Sequence, residues 1–116
     1  MAKNTPFSDI TVLDFSRYLP GGYATQVLAD LGATVIKVED TGLGDFMRHD
    51  YPTKGGGISY YITALGRNKK SVSLNLKNEE VVDWFLKMAQ EADIIVESFR
   101  PGVTAKLGID YESIKK

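Results

Sequence analysis

Apolar positions in this chain come in short runs whose spacing alternates between that of a strand and that of a helix. Residues 10–15 form a β-branched apolar run that predicts a buried strand. The run is broken at Leu19-Pro20-Gly21-Gly22, after which apolar residues at 23, 24, 27, 28 and 31 make one stripe of a helix. Gly32 stands where a left-handed C-cap is expected. Residues 33–39 then predict a second strand. Strand, helix and strand joined by short loops make a βαβ unit, whose strands should be parallel neighbours with a right-handed crossover.

Residues 40–58 are polar and glycine-rich, with Gly42, Gly44 and Gly55-Gly56-Gly57, and a loop this long in a compact domain is usually functional or mobile. A short helix is predicted over residues 59–65. Residues 71–76 alternate apolar and polar, the pattern of a half-buried strand. Asn78 can cap a helix running to about Gln90, with Glu79 and Glu80 favourable in its first turn. That helix should bury Val81, Val82, Phe85, Leu86 and Ala89. Residues 92–97 predict a fourth strand, and residues 102–107 and 111–116 two short helical pieces, the second capped by Asp110. With no internal repeat or linker, the pattern predicts one α/β domain over residues 1–116: a mostly parallel, doubly wound sheet with flanking helices. The last piece ends without a Gly or Pro stop, so the chain reads as an N-terminal fragment of a larger fold.

Composition narrows the classes. At 116 residues the chain has room for one domain, burying roughly two-thirds of its unfolded surface. A net charge of −1 gives no field that would favour nucleic acid or an acidic membrane. The absence of cysteine removes disulfides and thiolate metal sites. The first residues have no apolar segment like a signal peptide, and no run approaches the ~20 residues of a membrane span. The expectation is a soluble, cytoplasmic chain.

The first βα turn, Ser16-Arg17-Tyr18-Leu19-Pro20-Gly21-Gly22, stands where Rossmann folds keep phosphate-binding glycines, and amides at a helix start attract anions. Glu39 closes the second strand near the spacing of about 20 residues at which a ribose-binding acid follows those glycines. The three-glycine fingerprint is absent, however, and a plain tight turn accounts for the same residues. Arg67, Lys69 and Lys70 precede the third strand, where three cations can neutralise phosphates; a solvated charge run is the competing explanation. Arg48 is a further candidate contact for phosphate or carboxylate. His49, alone in the glycine-rich loop, lacks a nucleophile or an orienting partner and reads as a bystander. Phe99, at a strand's carboxyl end, can stack on a base, line an acyl channel or pad the core. Asp14 and Glu39 show no sign of converging as an acid–base pair. Ser16 has no His–Asp relay, and no metal-ligand cluster is present.

The order of these blocks is more specific than any one of them. Val12-Leu13-Asp14-Phe15-Ser16, the run from Ala29 to Glu39, Gly44-Asp45 with Arg48, the run from Asn68 to Leu74, and the run from Ala92 to Gly102 together resemble the N-terminal segment of the class III CoA-transferases. That family includes formyl-CoA, carnitine and bile-acid CoA-transferases and the α-methylacyl-CoA racemases. The resemblance covers residues 10–114.

It implies a Rossmann-like segment that binds coenzyme A within a homodimer whose chains thread through each other. Arg17, Tyr18, Leu19 and Pro20 would touch the CoA moiety. The segment around Leu74 and Lys77 would hold its adenine and phosphate end, Ser98, Phe99 and Arg100 would line the pantetheine path, and Lys106 would add a phosphate contact. Ser98 stands where members often have Asn, and Asp40 where some carry a CoA-contacting Arg. The implied activity is transfer of CoA from an acyl-CoA donor to a carboxylic acid through acyl-aspartyl and aspartyl-CoA intermediates. The alternatives are an α-methylacyl-CoA racemase, to which Leu19-Pro20-Gly21 and residues 44–48 have some likeness, and a non-catalytic nucleotide-binding or assembly module. In each enzyme the catalytic groups are expected beyond residue 116, so none is assigned here. Coenzyme A is expected as substrate rather than as a resident cofactor, with a carboxylate small molecule and a second copy of the chain as partners.

Overall fold

The computed structural model describes residues 4–49, 53–54 and 57–116. Gly55 and Gly56 of the predicted glycine-rich loop therefore lie outside the described residues. The chain runs through strand β1 (Thr11–Asp14), helix α1 (Tyr18–Asp30), β2 (Thr34–Glu39) and a single 3-10 turn (Phe46–Arg48). It continues through β3 (Thr53–Lys54), β4 (Ile58–Ser59), α2 (Tyr60–Leu65), β5 (Lys69–Ser73), α3 (Glu79–Gln90), β6 (Ile94–Val96), α4 (Val103–Leu107) and α5 (Tyr111–Ile114). No helix among the described residues is long and apolar enough to cross a membrane.

Four strands make one parallel sheet in the order β5-β2-β1-β6. Asp14 of β1 pairs with Lys37 of β2 on one side and with Val96 of β6 on the other. From β1 the chain winds outward to β2 and β5, and later returns to place β6 on β1's free edge. The winding direction thus reverses between β1 and β6, and the crevice at the carboxyl ends of those two strands is where such sheets bind ligands.

Alternation along the strands sorts the core into two layers. Val12 and Val35 face α1, where they pack with Ala29 and Ala33. Leu13, Phe15 and Val38 face α3, where they meet Phe85, Ala89 and Ile109. Phe15 and Phe85 meet edge to face, 4.8 Å between ring centroids. Helix α3 has the predicted cap, with Asn78 Oδ1 accepting the Glu80 amide at 2.9 Å. Of its predicted core residues Phe85 and Ala89 are fully buried, while Val82 and Leu86 pack partly buried against the same cluster.

Three local predictions are corrected. Helix α1 begins at Tyr18, ahead of the expected break at residues 19–22. Pro20 falls in the first turn, where its missing N–H would have no helical partner anyway. Gly21 lets that turn rest on the end of β1: a Cβ there would lie 2.1 Å from Ser16 Cβ. The helix also buries the opposite face from the one its apolar stripe predicts. Gly22, Thr25, Gln26 and Ala29 are buried, whereas Leu19, Tyr23, Val27 and Leu31 are exposed. Strand β5 starts two residues earlier than the alternation predicts. It ends at Ser73, after which the Leu74 amide makes a last bond to Glu39 O (2.8 Å) and the chain turns away. Within the long loop, β3 and β4 form a small antiparallel hairpin that no sequence signal announced.

Gly32 does adopt the expected left-handed conformation, at φ +107°, and its amide bonds back to Ala29 O at 3.1 Å. Phe85, fully buried between sheet and helix, is the best single test of this packing. Phe85→Ala should lower unfolding stability by about 3–5 kcal/mol, measured by chemical denaturation.

Candidate functional site: a cleft above a buried charge network

The carboxyl end of the sheet is organised by charge. Asp14 is wholly buried. Its Oδ1 accepts the amide and hydroxyl of Ser16, and its Oδ2 accepts Thr25 Oγ1 at 2.6 Å and Lys69 Nζ at 3.3 Å. Lys69 also donates to Gly22 O (2.9 Å) and Thr25 Oγ1 (2.7 Å), which is why α1 turns its polar face inward. Burial pushes the Lys69 ammonium below the usual lysine range, and the Asp14 carboxylate opposes that shift. Lys37, 3% exposed, donates to Ser16 O at 3.1 Å and lies 2.6 Å from Asp45 Oδ2. Removing one member of such a buried pair typically costs about 3–5 kcal/mol, because the charge left behind has no water.

A second buried carboxylate, Glu39, ends β2. Arg48 grips it with two bonds, Nε to Oε1 at 2.7 Å and an Nη to Oε2 at 2.6 Å. The Ser71 hydroxyl (2.6 Å) and the Asp45 amide (2.8 Å) complete its shell. Burial alone would raise the Glu39 pKa, but the bonds from Arg48, Ser71 and Asp45 outweigh it and bring the group from an ordinary 4.5 to about 2. Glu39 therefore fastens the segment carrying Asp45 and Arg48 onto the sheet, and its filled shell leaves it unsuited to holding a ribose.

Above these charges lies a mostly apolar cavity of about 340 Å³, lined by Arg17, Val38, Phe46, Leu74, Leu76, Lys77, Phe99 and Leu107 together with Glu39, Asp40 and Asn75. An adjoining groove of about 870 Å³ shares Leu76, Lys77 and Leu107 and adds Lys106 and the start of α3. The loops after β1 and β6 meet here. The Arg17 amide donates to Ser98 Oγ at 2.9 Å, and the Arg17 guanidinium lies 5.9 Å from the Phe99 ring centre. The same guanidinium donates to Val38 O (3.1 Å) and Phe15 O (3.3 Å), so it caps strand ends rather than reaching out as a free cation. Tyr18, at φ +62°, stacks on Phe46 with 5.5 Å between centroids.

Of the residues singled out from sequence, Arg17, Leu74, Lys77 and Phe99 come together in one cavity, with Lys106 next door and Ser98 tied to Arg17. Tyr18, Leu19 and Pro20 form the exposed first turn of α1, and Arg100 is exposed in the loop after β6. The basic run does not gather into one patch. Arg67 pairs with Asp30 (2.7 Å), which holds that carboxyl below its usual range. Lys69 is buried against Asp14, and Lys70 is exposed on β5 beside Ile36 of β2. Asp40, at the cavity rim, accepts the Gly42 and Gly44 amides. His49 Nε2 lies 2.9 Å from Leu43 O.

Sequence reasoning missed Phe46 and the pairing of Lys37 with Asp45. A signal for the pair was present: a lysine inside an otherwise apolar strand demands a buried partner.

A four-stranded parallel layer with its cleft at the reversal point defines a ligand-binding α/β segment of the Rossmann type. The chain belongs to CoA-transferase family III, whose family model matches residues 7–116. It is 42% identical over 111 residues to an acetyl-CoA:oxalate CoA-transferase of Acetobacter aceti, covering 96% of this chain and 28% of that protein. A formyl-CoA:oxalate CoA-transferase of Escherichia coli is 41% identical over 113 residues, covering 97% of this chain and 27% of the relative. Among solved structures, a CAIB/BAIF family protein from Brucella suis superposes with a TM-score of 0.88 at 37% identity, over 97% of this chain and 31% of that one. The chain thus spans between a quarter and a third of the length of these relatives. The resemblance read from the ordered blocks is borne out.

Ionised Glu39 is favoured by the fold, so its stabilising contribution is complete above pH 4.5 and disappears as pH falls from 4.5 to about 2. Glu39→Gln should flatten the acid limb of a Tm-against-pH curve in that window and lower Tm at neutral pH.

Proposed function

We propose that this chain supplies coenzyme A-binding elements of a cytoplasmic CoA-transferase, which moves CoA from an acyl-CoA donor to a carboxylic acid acceptor. The observation that carries this reading is the joint cavity and groove at the sheet's carboxyl edge, in a chain of family III. Its apolar lining suits the pantetheine arm and the adenine face. Lys77 and Lys106 stand where they can meet phosphates, and Phe99 offers a flat ring beside Arg17. Arg67 and Lys69 enter this proposal as structural charges, since Asp30 and Asp14 already engage them.

In the proposed reaction a carboxylate of the full enzyme attacks the acyl-CoA carbonyl and expels the CoA thiolate, leaving an acyl anhydride. The thiolate attacks the enzyme-side carbonyl of that anhydride and releases the first acid, giving an enzyme thioester. The acceptor carboxylate then attacks the enzyme thioester and expels the CoA thiolate, forming a second anhydride; the thiolate attacks its acceptor-side carbonyl, which gives the new acyl-CoA and frees the enzyme carboxylate. Asp14, Glu39 and Asp45 are buried and bound to cations, which supports a binding role for this segment and a nucleophile supplied elsewhere in the full enzyme. The transferase reading is favoured over the racemase by the relatives, which are CoA:oxalate transferases by name.

Isothermal titration of the chain with coenzyme A, with NAD as control, tests the ligand. CoA should bind and NAD should not, and Phe99→Ala should weaken CoA by roughly two- to tenfold. Preference for NAD would sink the reading.

The family's homodimer is part of the proposal. It is supported by the stripe Leu19, Tyr23, Val27 and Leu31, an exposed apolar helix face of the kind that association covers. Sedimentation at micromolar concentration should show a dimer or larger species; a clean monomer would count against it.

A further inference from the structure

We propose that Lys37 is a positioning residue for this cleft, acting as a buried crosslink between the two loops that form its rim. The inference rests on the reading of the cleft as a CoA site and goes beyond it to what holds the cleft in shape. Neither loop is a strand or a long helix, so something other than the backbone ladder must fix their separation. One ammonium joins them directly to each other, beside the separate anchors that Asp14 gives Ser16 and Glu39 gives Asp45 and Arg48. Lys37 Nζ donates to Ser16 O, in the loop after β1, and ion-pairs with Asp45 Oδ2, in the segment after β2, at 3.1 and 2.6 Å. The residue after Ser16 is Arg17, and the residue after Asp45 is Phe46; both line the cavity. Tyr18, the first residue of α1, and Phe46, the first of the 3-10 turn, close the rim by stacking at 5.5 Å.

Asp45 makes the crosslink asymmetric. Its Oδ1 accepts the Met47 amide at 3.0 Å and so caps the 3-10 turn. Its Oδ2 is buried and receives no aligned hydrogen bond from any described group, and Lys37 is the one cation within ion-pair distance of it among the described residues, with Arg48 and Lys69 attracting it from farther off. Lys37 has a second carboxylate within reach: Asp14 Oδ2 lies 3.9 Å away, shared with Lys69 at 3.3 Å. Removing the lysine leaves Asp45 with no ion pair among the described residues, whereas removing Asp45 leaves Lys37 its longer approach to Asp14. A stranded buried carboxylate regains water by moving outward, and Phe46 moves with it.

The test uses the wild-type chain, Lys37→Met, Asp45→Asn and the double variant, each followed by two readouts. Nuclear Overhauser contacts between the Tyr18 and Phe46 rings report the rim, and titration with coenzyme A reports affinity. Contacts between β1 and β2 serve as the control for an intact sheet. Lys37→Met should abolish the ring contacts with the sheet intact and weaken CoA roughly tenfold, the equivalent of about 1.4 kcal/mol of lost contact. Asp45→Asn should weaken CoA less. The double variant should recover part of the loss, because the stranded charge is gone, so the two effects will not add.

Ring contacts retained in Lys37→Met, or an affinity within twofold of wild type, would overturn the proposal. So would strictly additive effects in the double variant. If Lys37→Met fails to fold, Asp45→Asn decides: ring contacts and affinity both unchanged in that variant would refute the crosslink. If the wild-type chain binds no CoA, the functional reading fails, and the ring contacts across the four proteins still decide for or against the crosslink.

Discussion

Asp14 sits at the end of the central strand with no exposure, and both of its oxygens are fully used. One turns the chain back at Ser16, and the other draws in Thr25 from α1 and Lys69 from β5. A lone carboxylate in this position would be prohibitively expensive, so the partners are obligatory rather than decorative. Three consequences follow from the one constraint. The first turn of α1 is held against the sheet, its polar face points inward, and Lys69 becomes a core residue.

Lys37 and Glu39 extend the same logic one strand outward. They lie two residues apart on one face of β2 and reach the same segment from beneath: Lys37 takes the Asp45 carboxylate, while Glu39 takes the Asp45 amide and the Arg48 guanidinium. The segment from Asp40 to Arg48 is thereby given a defined place with only a 3-10 turn of its own. Its Phe46 then forms part of an apolar cavity whose floor is the carboxyl ends of the strands. The cleft is thus an apolar chamber built on a charged foundation.

The outward face of α1 balances this arrangement. Turning Thr25 and Gln26 inward leaves Tyr23 62% exposed, with Leu19, Val27 and Leu31 beside it. The polar interior and the apolar exterior of this helix have a single cause. This chain spans 25–31% of the length of its relatives.

Much of the molecule was legible without coordinates. Strands β1, β2 and β6, helix α3 with its Asn78 cap, the left-handed Gly32 and the parallel α/β class all follow from local spacing, because a strand's or helix's preference is written in residues within a turn or two of one another. Family membership was legible too, in five blocks whose order is itself information. The buried face of α1, the fate of Lys69, the seat of Asp45 and the place of Phe46 in the cleft were not. The first two depend on a charge finding its partner far along the chain, as Lys69 finds Asp14 across 55 positions; the last two depend on how the folded sheet seats the segment after β2. Periodicity determines which residues can lie on one face; only the folded sheet, by excluding water from Asp14 and demanding cations around it, decided which face went inside.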